Sequence, residues 1–263
     1  MKFKISLLIL ICGILSSCNT STQSPDTIES EREVTEYIPI ETISPEPILP
    51  LIDKIICVDA GHGLNSSKQQ ENIAPNSKLT KPAFVSGTKG QVYTEEELNL
   101  IIALKLQAKL EENGASVYMT RTTHETSLSN IGRAIYANDL AADISIKIHA
   151  DGSNDSSVNG ISILVPSTEY VDDDICASSK TAGSLILDNI VAQTGAKNRG
   201  IISRNDMTGF NWSTVPVILI ESGFMTNVQE DALLSTDEYQ NKIVQGIVDG
   251  VIAYFDSIHT PSE

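Results

Sequence analysis

The sequence predicts an α/β fold: one domain with a mostly parallel central sheet flanked by helices on both faces. Short apolar runs alternate with longer helical patterns, the order expected of a parallel sheet whose strands are covered on both sides. Hydrophobic residues make up 41% and charged residues 20%, a globular composition. Aromatics are only 5%, so the core must rest on Ile, Leu, Val and Ala.

Residues 55–58 (IICV) form a short apolar run that enters a glycine turn, Asp59-Ala60-Gly61-His62-Gly63. Residues 64–93 are polar, with Gly, Pro and Ser scattered through them, and read as a long excursion; loops of that length are usually functional or mobile. Residues 94–113 are the clearest helix, opened by a Thr94/Glu97 capping box and closed by Gly114. Residues 115–120 read as a strand and 128–142 as a helix; 144–148 (ISIKI) and 160–165 (GISILV) are further strands. A helix over 178–194, a buried strand over 217–220 (VILI) and a closing helix over 238–255 complete the domain, placed at residues 53–258.

Residues 1–18, MKFKISLLILICGILSSC, carry two lysines ahead of an apolar run. That run is well short of the ~20 residues a spanning helix needs, so it reads as a signal segment. Its ending, Leu15-Ser16-Ser17-Cys18, resembles the lipobox of bacterial lipoproteins, which implies acylation of Cys18 and an extracytoplasmic domain held at the membrane by its lipid. An ordinary secretory signal with a coincidental cysteine is the alternative. Residues 19–52 read as an acidic linker holding five of the ten prolines, and ~33 residues could span on the order of 100 Å when stretched. A disordered N-terminus without that role fits the same composition. Cys12 leaves with the signal; Cys57 lies in an apolar strand pattern and behaves as a small core hydrophobe, and a disulfide between Cys57 and Cys176 is left open.

With 34 acidic against 18 basic residues, a net charge of −16, the chain has no basic footprint for a nucleic-acid partner. Its chemistry gathers elsewhere. His62 follows the first strand, His149 ends ISIKI and Glu221 ends VILIE, all at the carboxyl edge where open α/β sheets place ligands. His124 and His259 lie in a polar turn and in the tail, and no role is assigned to them. A zinc site built on two histidines wants one carboxylate and an open position for water. Glu95, Glu96 and Glu97 open the first long helix. Glu97 is occupied by the cap, whereas Glu95 continues the stripe Leu98, Ile102, Leu106 that faces the sheet. Glu95 is therefore the expected ligand and Glu96 the reserve; the bland alternative is that all three simply complement the helix dipole. Asp59 either orients a ligand histidine or forms the turn.

The segments VDAGHG (58–63), ELNL (97–100), YMTRTT (118–123), SIKIHAD (145–151) and ILIESGFMTN (218–227) together resemble the zinc-dependent N-acetylmuramoyl-L-alanine amidases of the AmiC-like, amidase-3 group. RNDMTGFNWSTVP (204–216) resembles a stretch found in a Gram-positive-type branch of that group. The resemblance implies Zn2+ on His62, Glu95 and His149, with Glu221 as the catalytic carboxylate. It implies hydrolysis of the amide between N-acetylmuramic acid and L-alanine in peptidoglycan, by a monomer. Arg121 and Arg133 match group positions, and Arg121, Arg204, Asn211 and Trp212 are candidates to contact substrate; for Arg121 a structural ion pair, and for Trp212 core packing, is the competing role. The rival readings are a zinc peptidase acting on muropeptides and a catalytically inactive wall-binding or regulatory lipoprotein.

Overall fold

The computed structural model describes residues 49–259. The signal segment, Cys18 and all but the end of the linker lie outside the described residues. Among the described residues there are eight strands: β1 (Ile55–Ala60), β2 (Gln70–Asn72), β3 (Thr80–Pro82), β4 (Ser116–Met119), β5 (Ile144–Asp151), β6 (Ile161–Pro166), β7 (Asn198–Arg204) and β8 (Val217–Phe224). The helices are α1 (Glu95–Glu112), α2 (Asn130–Asp139), α3 (Asp173–Thr194), α4 (Thr208–Asn211), α5 (Val228–Leu234) and α6 (Asp237–His259). Six strands form one sheet in the order β4-β1-β5-β8-β6-β7, and β2 pairs with β3 in a small hairpin. The pairs β1/β4, β1/β5, β5/β8 and β6/β7 are parallel and β6/β8 is antiparallel, so the sheet is mostly parallel as expected. The described residues fall within one compact unit. Among them no helix is long and apolar enough to cross a membrane.

The two faces of this sheet differ in chemistry. Alternation along each strand sends successive side chains to opposite sides. Ile56, Val58 and Ala60 of β1 join Ile144, Ile146 and Ile148 of β5 and Ile218 and Ile220 of β8 in a dry core packed against α1, α3 and α6. The opposite face carries Cys57 and Asp59, then Ser145, Lys147 and His149, then Val217, Leu219 and Glu221. It is only partly apolar, with small clusters around Cys57 and Phe210.

Local physics explains where the elements depart from expectation. Helix α2 starts at Asn130 because the Ser129 hydroxyl caps Gly132 N–H at 3.1 Å. Helix α3 starts at Asp173, five residues before the predicted start, where Asp173 and Asp174 meet the positive end of the helix. Strand β7 was not predicted; it is a half-exposed edge strand without a clear apolar alternation. The excursion, predicted without elements, contains the β2–β3 hairpin. Leu51 is fully buried and its N–H donates to Asn113 O at 2.9 Å, so the packed fold begins two residues ahead of the expected boundary at 53. Cys57 and Cys176 are both free; burial pushes the Cys57 thiol up to about 12, which keeps it inert.

Beneath the β1 turn, Asp59 is a buried anion held by two cations. Its Oδ1 accepts from Arg133 Nη1 at 2.5 Å and from the Thr120 hydroxyl at 2.5 Å; Oδ2 accepts from Lys147 Nζ at 2.7 Å. Burial opposes its charge, but Arg133 and Lys147 outweigh burial and hold the carboxyl well below the usual carboxylate range. Removing one member of such a buried set leaves uncompensated charge. Asp59→Asn is expected to destabilise the fold by about 3–5 kcal/mol, read from urea denaturation. Because the folded-state pKa is depressed, the contribution of Asp59 is complete above the ordinary ~3.9 of an unfolded aspartate and is lost as pH falls through the lower folded value. Wild type and variant should therefore converge in acid; an unchanged gap from neutral pH down to acid unfolding would contradict this.

Candidate metal centre

Three side chains from distant parts of the chain meet at the carboxyl edge of the sheet. His62 stands in the turn after β1, Glu95 at the first position of α1, and His149 near the end of β5. One potential ligand atom from each lies within 4.8 Å of the others. Oε1 of Glu95 is 3.0 Å from His62 Nε2 and 3.0 Å from His149 Nδ1. The two rings are nearly perpendicular, with centroids 4.7 Å apart. Tetrahedral zinc holds N and O donors at ~2.0–2.2 Å, which puts neighbouring donors ~3.4 Å apart. The His2Glu donor set fits such an ion, and Glu95 Oε1 stands near that spacing from both imidazoles.

Each donor is fixed by its neighbours. His62 has φ of 58°, a left-handed conformation unusual outside glycine. It is held there from two sides: Arg133 Nη2 donates to its carbonyl, and its ring Nδ1 lies 2.7 Å from Val85 O. With Nδ1–H donating to that carbonyl, Nε2 is left as the free lone pair facing Glu95. The other oxygen of Glu95, Oε2, accepts from Thr88 N–H at 2.9 Å. A Cβ on Gly87 would collide with the Glu95 carboxylate, and one on Gly61 with the His149 ring, so both close approaches need glycine. Val85, Gly87 and Thr88 all belong to the 64–93 excursion, which thus braces two of the three donors. Asp59 touches neither ring; it acts through Arg133 on the backbone of His62.

The triplet of glutamates divides as helix geometry requires. Glu97 Oε2 accepts from Thr94 N–H and from the Thr94 hydroxyl, both at 2.9 Å. Glu95 is buried at 4% exposure and points under the sheet edge. Glu96 contributes only its carbonyl to this region, as an acceptor for Arg121. Burial raises the carboxyl of Glu95, but the two imidazoles more than reverse this and hold it ionised. Burial also acts against charge on both histidines: it prevails at His149, which is shifted down, whereas Glu95 and the Val85 carbonyl lift His62 above its ordinary value.

Glu221 sits directly across from His149 in the β5/β8 register, and the ladder shifts between His149 and Asp151. Such irregularities commonly re-aim side chains beside functional sites. Its Oε2 is sealed from solvent without any hydrogen-bond partner among the described residues. Burial pushes its carboxyl well above the usual range; Glu95 and Asp151 add to this and Arg204 partly offsets it. An orphaned, proton-hungry carboxylate beside a His2Glu set suits proton transfer to and from a reacting water.

The remaining expected contact residues make their hydrogen bonds to groups other than the three donor side chains. Arg121 is buried, and its guanidinium donates to the carbonyls of Ala60, Gly61, Thr123 and Glu96, which ties the β1 turn to α1. Asn211 is buried and donates to Ile73 O and Asn205 O; Trp212 Nε1 donates to Asn72 O at 2.9 Å. Both therefore pin the hairpin of the excursion. Arg204 stands at the rim, paired through Nε and Nη2 with both oxygens of Asp206. Sequence reasoning missed Lys147, Val85 and Thr88. Lys147 had a legible signal, a charge in the middle of a buried strand that demands a partner; the two backbone contacts had none.

An N-acetylmuramyl-L-alanine amidase from Mycobacterium smegmatis has the same fold, with a TM-score of 0.73 at 25% identity over 79% of this chain and 99% of that one. An N-acetylmuramoyl-L-alanine amidase from Clostridium difficile 630 superposes with a TM-score of 0.64 at 30% identity, covering 78% and 97% of the two chains. The N-acetylmuramoyl-L-alanine amidase LytC of Bacillus subtilis is 28% identical over 206 residues, 78% of this chain and 36% of that relative. This chain thus spans about a third of the length of LytC. Residues 56–253 match the family described as N-acetylmuramoyl-L-alanine amidase, and the chain belongs to that family.

Proposed function

We propose that this chain is a zinc-dependent amidase that hydrolyses the bond between the lactyl group of N-acetylmuramic acid and L-alanine, releasing stem peptides from peptidoglycan. The observation that carries the reading is the convergence of His62, Glu95 and His149 within 4.8 Å, with Glu221 in register beside His149 and its Oε2 without a hydrogen-bond partner among the described residues. Family membership supports the same substrate.

An amide is a poor electrophile with a poor leaving group. A zinc ion on His62, Glu95 and His149 would supply Lewis acidity, polarising the carbonyl and acidifying a water. Glu221 takes the proton of the attacking water on its free oxygen and returns it to the departing amine nitrogen. Its raised affinity for a proton, set by burial and by Glu95 and Asp151, suits both halves of that transfer. Arg133 and Val85 hold His62 in its strained conformation, and Thr88 holds Glu95, so the donors need not reorganise during turnover.

The protein is proposed to act outside the cytoplasm as a monomer. Residues 1–18 form the lipoprotein signal, Cys18 carries the lipid and residues 19–52 tether the catalytic domain. No nucleic acid is a partner. Relatives named as cell wall amidases, such as the probable cell wall amidase LytH of Staphylococcus aureus, support an extracytoplasmic site of action.

Glu221→Gln should keep one zinc per chain by elemental analysis while losing on the order of 10²–10⁴ in turnover on purified sacculi. His62→Ala and His149→Ala should lose zinc and turnover together. Loss of zinc from the Glu221 variant would make Glu221 a ligand, and products without new N-terminal alanine would replace the amidase with a peptidase. For the anchor, detergent phase separation should carry the wild type into the detergent phase and Cys18→Ala into the aqueous one; a wild type that stays aqueous would sink the lipoprotein assignment.

A further inference from the structure

An asparagine that takes no part in the proton transfers lies against the metal donors. Asn99 follows Glu95 by four residues, one turn along the same face of α1, and is fully buried. Its Nδ2 donates to Glu95 Oε1 at 3.4 Å and to the carbonyl of Gly61 at 3.3 Å. Both partners are acceptors, which fixes the amide with its nitrogen toward them. Its Oδ1 is sealed from solvent and has no hydrogen-bond partner among the described residues. An unpaired buried carbonyl is a standing cost to folding, one that a leucine of similar shape would avoid.

The two contacts of Asn99 reach all three donors. Glu95 is touched directly, on the oxygen that lies 3.0 Å from a nitrogen of each imidazole. Gly61 precedes His62 in the chain, and it packs so closely on the His149 ring that an added Cβ would collide with it. Other groups hold one side or the other. Arg121 Nη2 donates to the Gly61 carbonyl at 2.8 Å, while the N–H groups of Thr88 and Ala150 donate to the Glu95 carboxylate at 2.9 and 3.3 Å. Among the described residues, Asn99 alone donates to both the carboxylate and the turn.

We propose that Asn99 is a positioning residue for the metal: its amide ties the Glu95 carboxylate to the β1 turn and keeps the three donors gathered for a divalent cation before the cation binds. The inference rests on the zinc-amidase reading. Donors gathered in advance lose less freedom when the ion arrives, so the gain falls on metal affinity. Fold stability gains little from the same amide. Without it, Gly61 O keeps Arg121 and the Glu95 carboxylate keeps Thr88 and Ala150, so no acceptor is orphaned. The unpaired Oδ1 disappears as well. A residue that serves the fold and one that serves the metal therefore leave opposite signatures.

The test substitutes Asn99→Leu, which keeps the shape and removes the donor, and Asn99→Ala, which removes the donor without added bulk. Each full chain is stripped of metal with a chelator. Its urea midpoint is then measured, and its zinc affinity by competition with a chromophoric chelator. Zinc should bind tenfold or more weakly in both variants, the loss typical when a group that orients a metal ligand is removed. The metal-free midpoint of Asn99→Leu should stay at or above that of the wild type. Wild-type zinc affinity in either variant overturns the inference, and so does a fall in affinity accompanied by a lowered midpoint in Asn99→Leu, which makes Asn99 part of the packing. In both cases the zinc-amidase reading stands. A wild-type chain that binds no zinc overturns that reading, and the role of Asn99 with it.

Discussion

One carboxylate oxygen, Oε1 of Glu95, lies 3.0 Å from a nitrogen of each of two imidazoles, and the surrounding structure holds it there. The three groups come from a β turn, a helix start and a strand end that are far apart in the chain. None of them has the local spacing of a metal motif. The order of the sheet sets β1 beside β5, which brings the two histidines together, and the start of α1 delivers Glu95 to the same edge. Parallel neighbours bring their carboxyl ends to the same edge, so residues at equivalent strand ends converge whatever their separation in sequence.

The sheet supports that edge through a division of labour between its faces. On one side, isoleucines from β1, β5 and β8 pack against α1, α3 and α6 and provide the main dry core. On the other, alternating positions carry Asp59, Lys147, His149 and Glu221. Buried charges are costly unless paired, and here the pairing also has a geometric consequence. Asp59 positions Arg133, and Arg133 holds the carbonyl of His62, whose φ of 58° would otherwise be disfavoured. Strain at His62 is thus maintained by an ion network one layer below it, an arrangement common at functional sites.

Much of this was legible in the sequence, because strongly periodic segments and strand-end residues carry their own signals. The stripe Leu98, Ile102, Leu106 pointed Glu95 toward the sheet, and the Thr94/Glu97 capping box accounted for Glu97 independently. The β6 and β8 runs were plain from their apolar content, whereas β7 was hidden by its half-exposed edge position. The excursion was the least legible part. Its contributions to the centre are the carbonyl of Val85 and the N–H of Thr88, and backbone groups are present at every position, so composition cannot single them out. Arg121, Asn211 and Trp212 show the converse: side chains suited to substrate contact hold backbone carbonyls of the turn and hairpin instead.

The proposed reaction would divide its roles among four side chains, three to hold a cation and one to move protons beside it. Anomalous scattering at the zinc absorption edge, from crystals grown with zinc, reads that division directly. The predicted result is a single strong peak within bonding distance of His62, Glu95 and His149, with the Glu221 carboxylate outside the coordination sphere. A peak bound to Glu221 and Asp151, or one that engages only one of the two imidazoles, would contradict the account.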